Sequence, residues 1–275
     1  VNSSDQTITV TIEDEDEAPV LNYSSDPRFP APENQTFAGQ FSATDPEGET
    51  VIFTIEPGNV DSDKFTITSD GRLEFKQAPD FENTHSYDGS NNYFPSITYT
   101  DGSISQNFAL TVQVTNVDEA PVFTAGSTLA VDVDENTTSV TTLAATDQDV
   151  GDTVGYSLSG ADAGSFELGA ATGVLTFKTA PDFELDQTIY TVIATATDGV
   201  NLTNQTITVT ILDVDEAPVF TTGSTLAVDV DENTTSVTTL AATDQDAGDT
   251  VGYSLSGTDA GSFELGAATG VLTFK

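Results

Sequence analysis

The sequence predicts an all-β chain of tandem Greek-key sandwiches, immunoglobulin-like and seven-stranded, placed end to end. Two observations support this fold class. Apolar and polar residues alternate with a period of two along most of the 275 residues, as expected for strands with one buried face. Gly, Asn and Asp interrupt these runs, and about seven short strands in each repeat of about 97 residues suit a Greek-key sandwich.

An internal repeat defines the domain organisation. Residues 121–178 recur at 218–275, and only three of the 58 positions differ. Residues 1–19 match 200–218 at 14 of 19 positions, so they correspond to the last strand of a preceding repeat, and we expect the chain to be a window from a longer array. The predicted domains are the last strand and linker of a preceding repeat at 1–17, the first repeat at 18–118, the second repeat at 119–215 and a truncated third repeat at 216–275.

The second repeat shows the strand pattern most clearly. Its predicted strands are 128–135, 139–147, 153–160, 165–177, 187–197 and 204–214. Within the last two, one face carries Tyr190, Val192, Ala194 and Ala196, and Ile207, Val209 and Ile211. Gly173, after Thr172, is predicted to serve a hairpin turn.

Charge and composition exclude several classes of function. The chain has 45 acidic and 6 basic side chains, for a formal net charge of −39, so most carboxylates have no cationic side chain to pair with. This charge excludes nucleic acid as a partner and disfavours an anionic membrane surface. The absence of Cys excludes disulfides and thiolate chemistry. No run approaches the roughly 18 apolar residues of a membrane span, and no signal peptide opens the chain.

Short acidic motifs recur in the same order in successive repeats. A Glu-Asn pair opens each repeat at 33–34, 135–136 and 232–233. The later motifs are Asp45-Pro46-Glu47, Asp147-Gln148-Asp149 and Asp244-Gln245-Asp246, then Asp80-Phe81-Glu82 and Asp182-Phe183-Glu184, then Asp101 and Asp198, and the linkers EDEDEAPV (13–20), NVDEAPVF (116–123) and DVDEAPVF (213–220).

This order of motifs resembles a cadherin repeat over essentially the whole chain. The linker is one residue shorter than in the family, and Asn116 stands where Asp14 and Asp213 stand at the other junctions. Acidic, Ala-rich repeats of this kind are most similar to the cadherin-like modules of large bacterial surface adhesins. The resemblance implies cadherin-type sandwiches that bind Ca²⁺ between neighbouring repeats, outside the cell.

The residues themselves also favour calcium. In the second repeat, Glu135 and the mid-domain pair Asp182 and Glu184 are expected at one end of the sandwich, close to the exit linker and to the loop that carries Asp244 and Asp246. Calcium takes six to eight oxygen ligands, whereas zinc prefers His or Cys and magnesium resists dehydration. With the positions that the resemblance implies, the candidate calcium ligands are Asp14, Asp16, Glu33, Asp45, Glu47, Asp80, Glu82, Asp101, Asn116, Asp118, Glu119, Glu135, Asp147, Asp149, Asp182, Glu184, Asp198, Asp213, Asp215, Glu216, Asp244 and Asp246.

We therefore expect a calcium-rigidified extracellular spacer of a cell-surface adhesin, with its secretion signal outside this segment. The expected partners are calcium and neighbouring repeats of the same chain, with surface glycans or like chains as candidates, and no membrane insertion. The alternatives are a binding module for carbohydrate or for homophilic adhesion, accessory repeats of an enzyme, and a merely solvated acidic surface. Catalysis is not expected, because near-identical carboxylate sets recur in successive repeats and these lack His and Cys.

One stretch of the first repeat has no counterpart in the second. Residues 83–96 read NTHSYDGSNNYFPS and contain the only histidine, His85. Tyr87, Tyr93 and Phe94 suggest either an exposed aromatic platform or a loop that packs its own aromatic side chains.

Overall fold

The computed structural model describes residues 1, 3–23 and 26–275, and these residues form an all-β structure. No α-helix occurs in them; three single-turn 3₁₀ helices, Ser62–Lys64, Ala163–Ser165 and Ala260–Ser262, each lead into a strand that begins with Phe. Across the same described residues, no helix has the length and apolar character needed to cross a membrane.

The first repeat contains eleven strands among its described residues. They are β1 (Val20–Leu21), β2 (Arg28–Pro32), β3 (Phe37–Gln40), β4 (Ala43–Thr44), β5 (Ile52–Ile55), β6 (Phe65–Ile67), β7 (Arg72–Phe75), β8 (Asn92–Tyr93), β9 (Ser96–Thr100), β10 (Ser105–Ala109) and β11 (Thr111–Thr115). The sheets have the orders β2-β11-β8, β10-β9-β5, β3-β7-β6 and β1-β4. All pairs are antiparallel except β2 with β11, which run parallel.

The second repeat has the same plan with a more continuous sheet. Its strands are β12 (Val122–Phe123), β13 (Thr128–Asp134), β14 (Ser139–Thr142), β15 (Ala145–Thr146), β16 (Gly155–Ser159), β17 (Phe166–Leu168), β18 (Val174–Phe177), β19 (Ile189–Thr197) and β20 (Leu202–Leu212). They form sheets of order β13-β20-β19-β16, β14-β18-β17 and β12-β15, and β13 runs parallel to β20.

The third repeat contains five strands among the described residues. They are β21 (Val219–Phe220), β22 (Ser236–Thr239), β23 (Ala242–Thr243), β24 (Phe263–Leu265) and β25 (Val271–Phe274), in sheets of order β22-β25-β24 and β21-β23. Residues 225–231 form no strand, although their sequence is identical to that of β13.

Each of the first two repeats has its own hydrophobic core. In the second repeat, the predicted inward faces of β19 and β20 are confirmed, because their seven named side chains are between 0% and 6% exposed. Phe166, Phe177 and Tyr190 pack around one another with ring centroids 4.3 to 5.6 Å apart. The first repeat repeats this arrangement with Phe65, Phe75 and Tyr93. Burial of such large apolar side chains is the main stabilising contribution.

The chain divides into two compact units, residues 1–119 with 148–151 and residues 120–147 with 152–275. The first unit also takes residues 148–151 of the predicted second repeat, so the repeat boundaries predicted at 17/18 and 118/119 stay predictions. The boundary predicted at 215/216 lies inside the second unit and stays a prediction.

The single strand predicted at 165–177 is instead a hairpin, in which β17 and β18 pair antiparallel around a turn. Gly173 lies in this turn with φ of 68°, a left-handed conformation that glycine adopts at low cost. The carbonyl of Leu143 approaches it so closely that an added Cβ would lie 2.3 Å from that oxygen. The predicted hairpin role of Gly173 is therefore confirmed.

Gly173→Ala is expected to lower the free energy of unfolding of the second repeat by about 2–4 kcal/mol, because it combines backbone strain with a clash against the Leu143 carbonyl. The matched control is Gly164→Ala, whose Cβ would meet no atom within 4 Å. Urea unfolding of both variants measures the difference. Equal stability of the two variants would contradict this role for the turn.

Candidate metal centre

A buried glutamate follows the first long strand of each complete repeat. Glu33 comes directly after β2 and is 2% exposed. Its Oε2 accepts a hydrogen bond from the Phe81 amide at 2.7 Å, and its Oε1 accepts one from the Val117 amide at 2.9 Å. The next residue, Asn34, turns the chain with φ of 62°, which asparagine tolerates better than most residues. The Glu-Asn pair therefore directs one carboxylate inward and reverses the chain after it.

The first acidic cluster, defined as Glu33, Asp80, Glu82, Glu119 and Asp149, surrounds this glutamate. One ligand oxygen each from Glu33, Asp80 and Glu82 lies within 4.8 Å of the others, and the same holds for Glu82, Glu119 and Asp149. Asp149 accepts hydrogen bonds from the Asn116 side chain at 2.6 Å and from the Glu119 amide at 2.9 Å. The two groups share Glu82, so the five carboxylates form one continuous cluster.

The second acidic cluster, defined as Glu135, Asp182, Glu184, Asp213, Glu216 and Asp246, occupies the matching positions of the next repeat. Glu135, Asp213 and Asp246 act electrostatically on Glu184, and Asp182, at the position of Asp80, accepts a hydrogen bond from the side chain of Gln245. Glu135 is 1% exposed and accepts hydrogen bonds from the Phe183 amide at 2.8 Å and the Val214 amide at 2.9 Å. Asp246 accepts one from the Glu216 amide at 2.8 Å. In each cluster an asparagine side chain, Asn34 or Asn136, donates to the linker glutamate. The repeated sequence therefore builds the same site twice.

Several carboxylate oxygens in these clusters are buried without a hydrogen-bond partner among the described residues. They are Oε2 of Glu82 and Glu119 in the first cluster and Oε2 of Glu184 and Glu216 in the second. A buried polar atom without a partner is costly. The side chains around these oxygens are carboxylates and amides, a ligand set that suits a hard divalent cation.

Crowding of like charges shifts the proton affinities of these groups. Burial, followed by the negative charges of Glu33 and Asp149, raises the pKa of Glu82 and of Glu119. Burial and the charge of Glu135 raise the pKa of Glu184 and of Glu216, as burial and Asp246 do for Asp213. Asp149 is different, because hydrogen bonds from Asn116 and the Glu119 amide lower its pKa.

In calcium-free buffer, the protein is expected to become more stable as the pH falls from neutrality toward these raised pKa values. A carboxyl whose pKa is higher in the folded state binds its proton more tightly there, so protonation favours folding. At lower pH the stability falls again, because Asp149, with its lowered pKa, then loses the charge that holds its hydrogen bonds. Thermal melting in chelator from pH 7 to about pH 4 measures this. A stability that only decreases over this range would show that charge repulsion in the clusters is negligible.

A related but less enclosed arrangement occurs near the N-terminus. Asp14, Glu17 and Glu47 form one group of mutually close ligand oxygens, and Asp16, Glu49 and Asp101 form another. Asp101 is held by hydrogen bonds from the amides of residues 103 and 104 to its Oδ1. Its Oδ2 is buried and has no hydrogen-bond partner in the part of the chain that the structure describes.

Known cadherin proteins are similar to this chain in sequence. Mouse protocadherin Fat 4 is 35% identical over 242 residues, which cover 82% of this chain. Human protocadherin Fat 1 is 30% identical over an alignment of 306 residues that covers 99% of it. The chain spans only 5% and 6% of the lengths of these two relatives. No family model matches the sequence.

Solved cadherin structures share the fold. Mouse cadherin-23 EC22-24 has a TM-score of 0.51 at 22% identity, covering 94% of this chain and 88% of that one. Human CDH23 EC21-23 has a TM-score of 0.56 at 20% identity, covering 94% and 90%. The repeats are cadherin-like. This confirms the predicted fold class of tandem immunoglobulin-like sandwiches.

In these cadherin-like repeats, 15 of the 22 predicted ligands lie in the acidic clusters and groups described above. Eleven of them form the two clusters, and Asp14, Asp16, Glu47 and Asp101 form the N-terminal groups. The side-chain nitrogen of Asn116 donates to Asp149, and its role as a ligand stays a prediction. The others lie in the same linkers and loops and stay predictions: Asp45, Asp118, Asp147, Asp198, Asp215 and Asp244.

Sequence reasoning missed four residues of the sites. Glu17 occupies the same repeat position as Glu119 and Glu216, so an alignment of the three linkers would have found it. Asn34 and Asn136 belong to the Glu-Asn motif but are not among the predicted ligands. Their side chains donate hydrogen bonds to the linker glutamates. Glu49 has no acidic counterpart in the later repeats, where Val150 and Ala247 lie nearby, and no sequence signal identifies it.

Proposed function

We propose that this chain is a calcium-rigidified extracellular spacer, a segment of the stalk of a bacterial cell-surface adhesin or filament. The observation that supports it most directly is the set of buried, unpartnered carboxylate oxygens in the two clusters, counted over the described residues. One ion bound at each cluster would supply the missing partner for these oxygens. The same ion would offset the charge repulsion that raises the pKa values of Glu82, Glu119, Glu184 and Glu216.

The second acidic cluster explains how an ion would stiffen the chain. Glu135 and Glu184 belong to the second repeat, Glu216 to the linker and Asp246 to the third repeat. An ion that binds all of these ties the linker to both repeats, so the free energy of binding also restricts the linker. A chain with calcium is then a stiff spacer, and a chain without it is flexible at the linkers.

The wider setting of the chain is part of the same proposal. One similar solved structure is described as the extracellular cadherin domains 3-6 of protocadherin gamma B2, which supports a location outside the cell. The near-identity of residues 121–178 and 218–275 favours a spacer, because length is copied while no new surface is made. The role is non-catalytic, and its partners are calcium and neighbouring repeats.

A calcium titration by calorimetry, combined with small-angle X-ray scattering, tests the proposal. After chelator treatment, the chain is expected to bind several calcium ions and to increase its maximum dimension as they bind. Asp182→Ala with Glu184→Ala removes the binding at the second cluster only. Binding without any change in dimension would reject the spacer role, and no saturable binding would reduce the clusters to an acidic surface.

A further inference from the structure

A cavity of about 660 Å³ lies in the first repeat beside the loop formed by residues 83–92. Its lining includes the basic side chains of Lys64, Lys76 and His85 and the aromatic side chains of Phe75 and Tyr93. Phe75 and Tyr93 are core side chains, 4% and 2% exposed, so this part of the lining is fixed by the packing of the first repeat. The volume is in the range of pockets that hold small ligands.

Basic side chains, which are rare in this acidic chain, line the cavity together with the carboxylates of Asp63 and Asp80. Only seven side chains of the whole sequence are Lys, Arg or His, and three of these line the cavity. Lys64 Nζ lies 3.1 Å from Oδ2 of Asp63, and Lys76 Nζ donates to the Asp63 carbonyl oxygen at 2.7 Å. Both ammonium groups are therefore held beside one residue. The Lys64–Asp63 pair is exposed, so Lys64 can exchange this partner for another at little cost.

The loop beside the cavity is fixed by hydrogen bonds at several points. The carboxylate of Asp61, which is 6% exposed, accepts hydrogen bonds from the amides of Tyr87 at 3.0 Å and Phe94 at 3.1 Å. The His85 amide donates to the Tyr93 hydroxyl at 3.2 Å. Because Tyr93 is buried, the three aromatic residues form no exposed platform. The loop instead places His85 in the lining of the cavity. Because the loop is already ordered by these hydrogen bonds, a ligand that binds here has a lower entropic cost.

The second repeat provides a natural comparison. Its Lys178 donates to the Gly164 carbonyl oxygen at 2.7 Å, as Lys76 does to Asp63. Ser165 stands where the first repeat has Lys64, and the second repeat has no histidine. The second acidic cluster copies the first, whereas the combination of two lysines and a histidine is not copied. Its chemistry is therefore specific to the first repeat.

We propose that this cavity binds a single hexuronic acid unit of a short oligosaccharide; the net charge of −39, which excludes nucleic acid, also opposes a long polyanion. The carboxylate of the sugar would contact Lys64 and Lys76, and its hydroxyl groups would donate to the carboxylates of Asp63 and Asp80, which also line the cavity. The two carboxylates would repel a small inorganic anion. A polyhydroxylated acid can instead bind both the ammonium groups, through its carboxylate, and the aspartates, through its hydroxyl groups. The apolar residues of the lining, among them Phe75 and Tyr93, suit the C–H face of the sugar ring.

Asp80 links this cavity to the first acidic cluster. It lines the cavity and also belongs to that cluster. An ion at the cluster would neutralise negative charge next to the cavity, so the acidic sugar should bind more tightly with calcium than without it. Only this coupling rests on the proposed calcium binding; the contacts of the sugar with Lys64 and Lys76 do not.

The test is calorimetric titration of the whole chain with a hexuronate tetrasaccharide, with calcium and in chelator. The comparison probes are a neutral hexose tetrasaccharide and a short peptide with a free C-terminal carboxylate. The variant is Lys64→Gln with Lys76→Gln, and the matched control is Lys178→Gln. We expect the hexuronate alone to bind, the double variant to weaken it at least about tenfold, and the control to leave it unchanged. In the NMR spectrum, the His85 ring signals should shift as the hexuronate binds.

Three results would overturn the proposal. These are no saturable binding of the hexuronate at millimolar concentration, equal binding of the neutral sugar or the peptide, and an equal loss in Lys178→Gln. Hexuronate binding that persists in chelator and still requires Lys64 and Lys76 supports the cavity even if the clusters bind no calcium. Melting temperatures of all variants confirm that each is folded.

Discussion

Removal of calcium is expected to lower the free energy of unfolding by about 2.7 kcal/mol for each calcium site. This value applies when the free calcium concentration had been about 100 times the dissociation constant of the site. The two acidic clusters together would then account for about 5 kcal/mol, a large part of the stability of an ordinary domain. The reason is that the clusters hold carboxylates close together in the folded state, and the unfolded chain does not. Scanning calorimetry in calcium and in chelator measures the difference.

General screening of the net charge of −39 also stabilises the folded chain, so the experiment needs two controls. Sodium chloride at equal ionic strength supplies screening alone, and magnesium supplies a divalent cation that dehydrates reluctantly. Calcium should raise the melting temperature well beyond both. If sodium chloride reproduces the whole effect, the clusters are no more than a charged surface.

The sequence allowed the fold class and the glutamates of the clusters to be predicted, because both follow from local pattern. Alternation of period two predicted the buried faces of β19 and β20, and the repeat period placed Glu33 and Glu135 at equivalent positions. The hydrogen bonds of Glu33 were not predictable. Its partners, the amides of Phe81 and Val117, are 48 and 84 residues away along the chain, and only the fold brings them together.

Two pairs of segments with identical sequences differ in structure, which shows that local pattern alone does not determine where strands form. The sequence TITVTI occurs at 206–211, where its apolar side chains are 0% to 2% exposed in β20, and at 7–12, where they are 77% to 91% exposed and form no strand. TLAVDVD forms β13 at 128–134 and no strand at 225–231. In the second repeat the two strands that contain these segments, β13 and β20, pair over seven residues, 128–134 with 206–212. Strand formation here depends on the partner, which a pattern of residues cannot supply.

The cavity of the first repeat is a second case in which position in space mattered more than residue type. The sequence identified residues 83–96 as unusual and suggested either an exposed aromatic platform or a loop that packs its own aromatic side chains. In the structure, Tyr93 occupies the core position that Tyr190 has in the second repeat, and Asp61 fixes the backbone of the loop. Lys64 and Lys76 are separated from His85 in sequence, so no local pattern links the three side chains. The strands β6 and β7 bring them to the same cavity.

Glu135→Gln is expected to abolish calcium binding at the second cluster and to lower the free energy of unfolding by about 4 kcal/mol in calcium. Loss of the ion contributes about 2.7 kcal/mol of this. The remainder arises because a glutamine can present only one oxygen to the Phe183 and Val214 amides, which leaves one buried donor without an acceptor at a cost of about 1–3 kcal/mol.

In chelator the same substitution should cost much less, and this difference identifies the ion. Removing the charge of Glu135 relieves the repulsion that raises the pKa of Glu184 and of Glu216, which offsets part of the lost hydrogen bond. The matched control is Glu167→Gln, the same change of charge at an exposed position of β17. Urea unfolding of both variants with and without calcium measures their stabilities, and calorimetry gives the number of ions that each variant binds. An equal loss of stability in calcium and in chelator would mean that Glu135 has only a structural role in its backbone hydrogen bonds, and that the ion binds elsewhere.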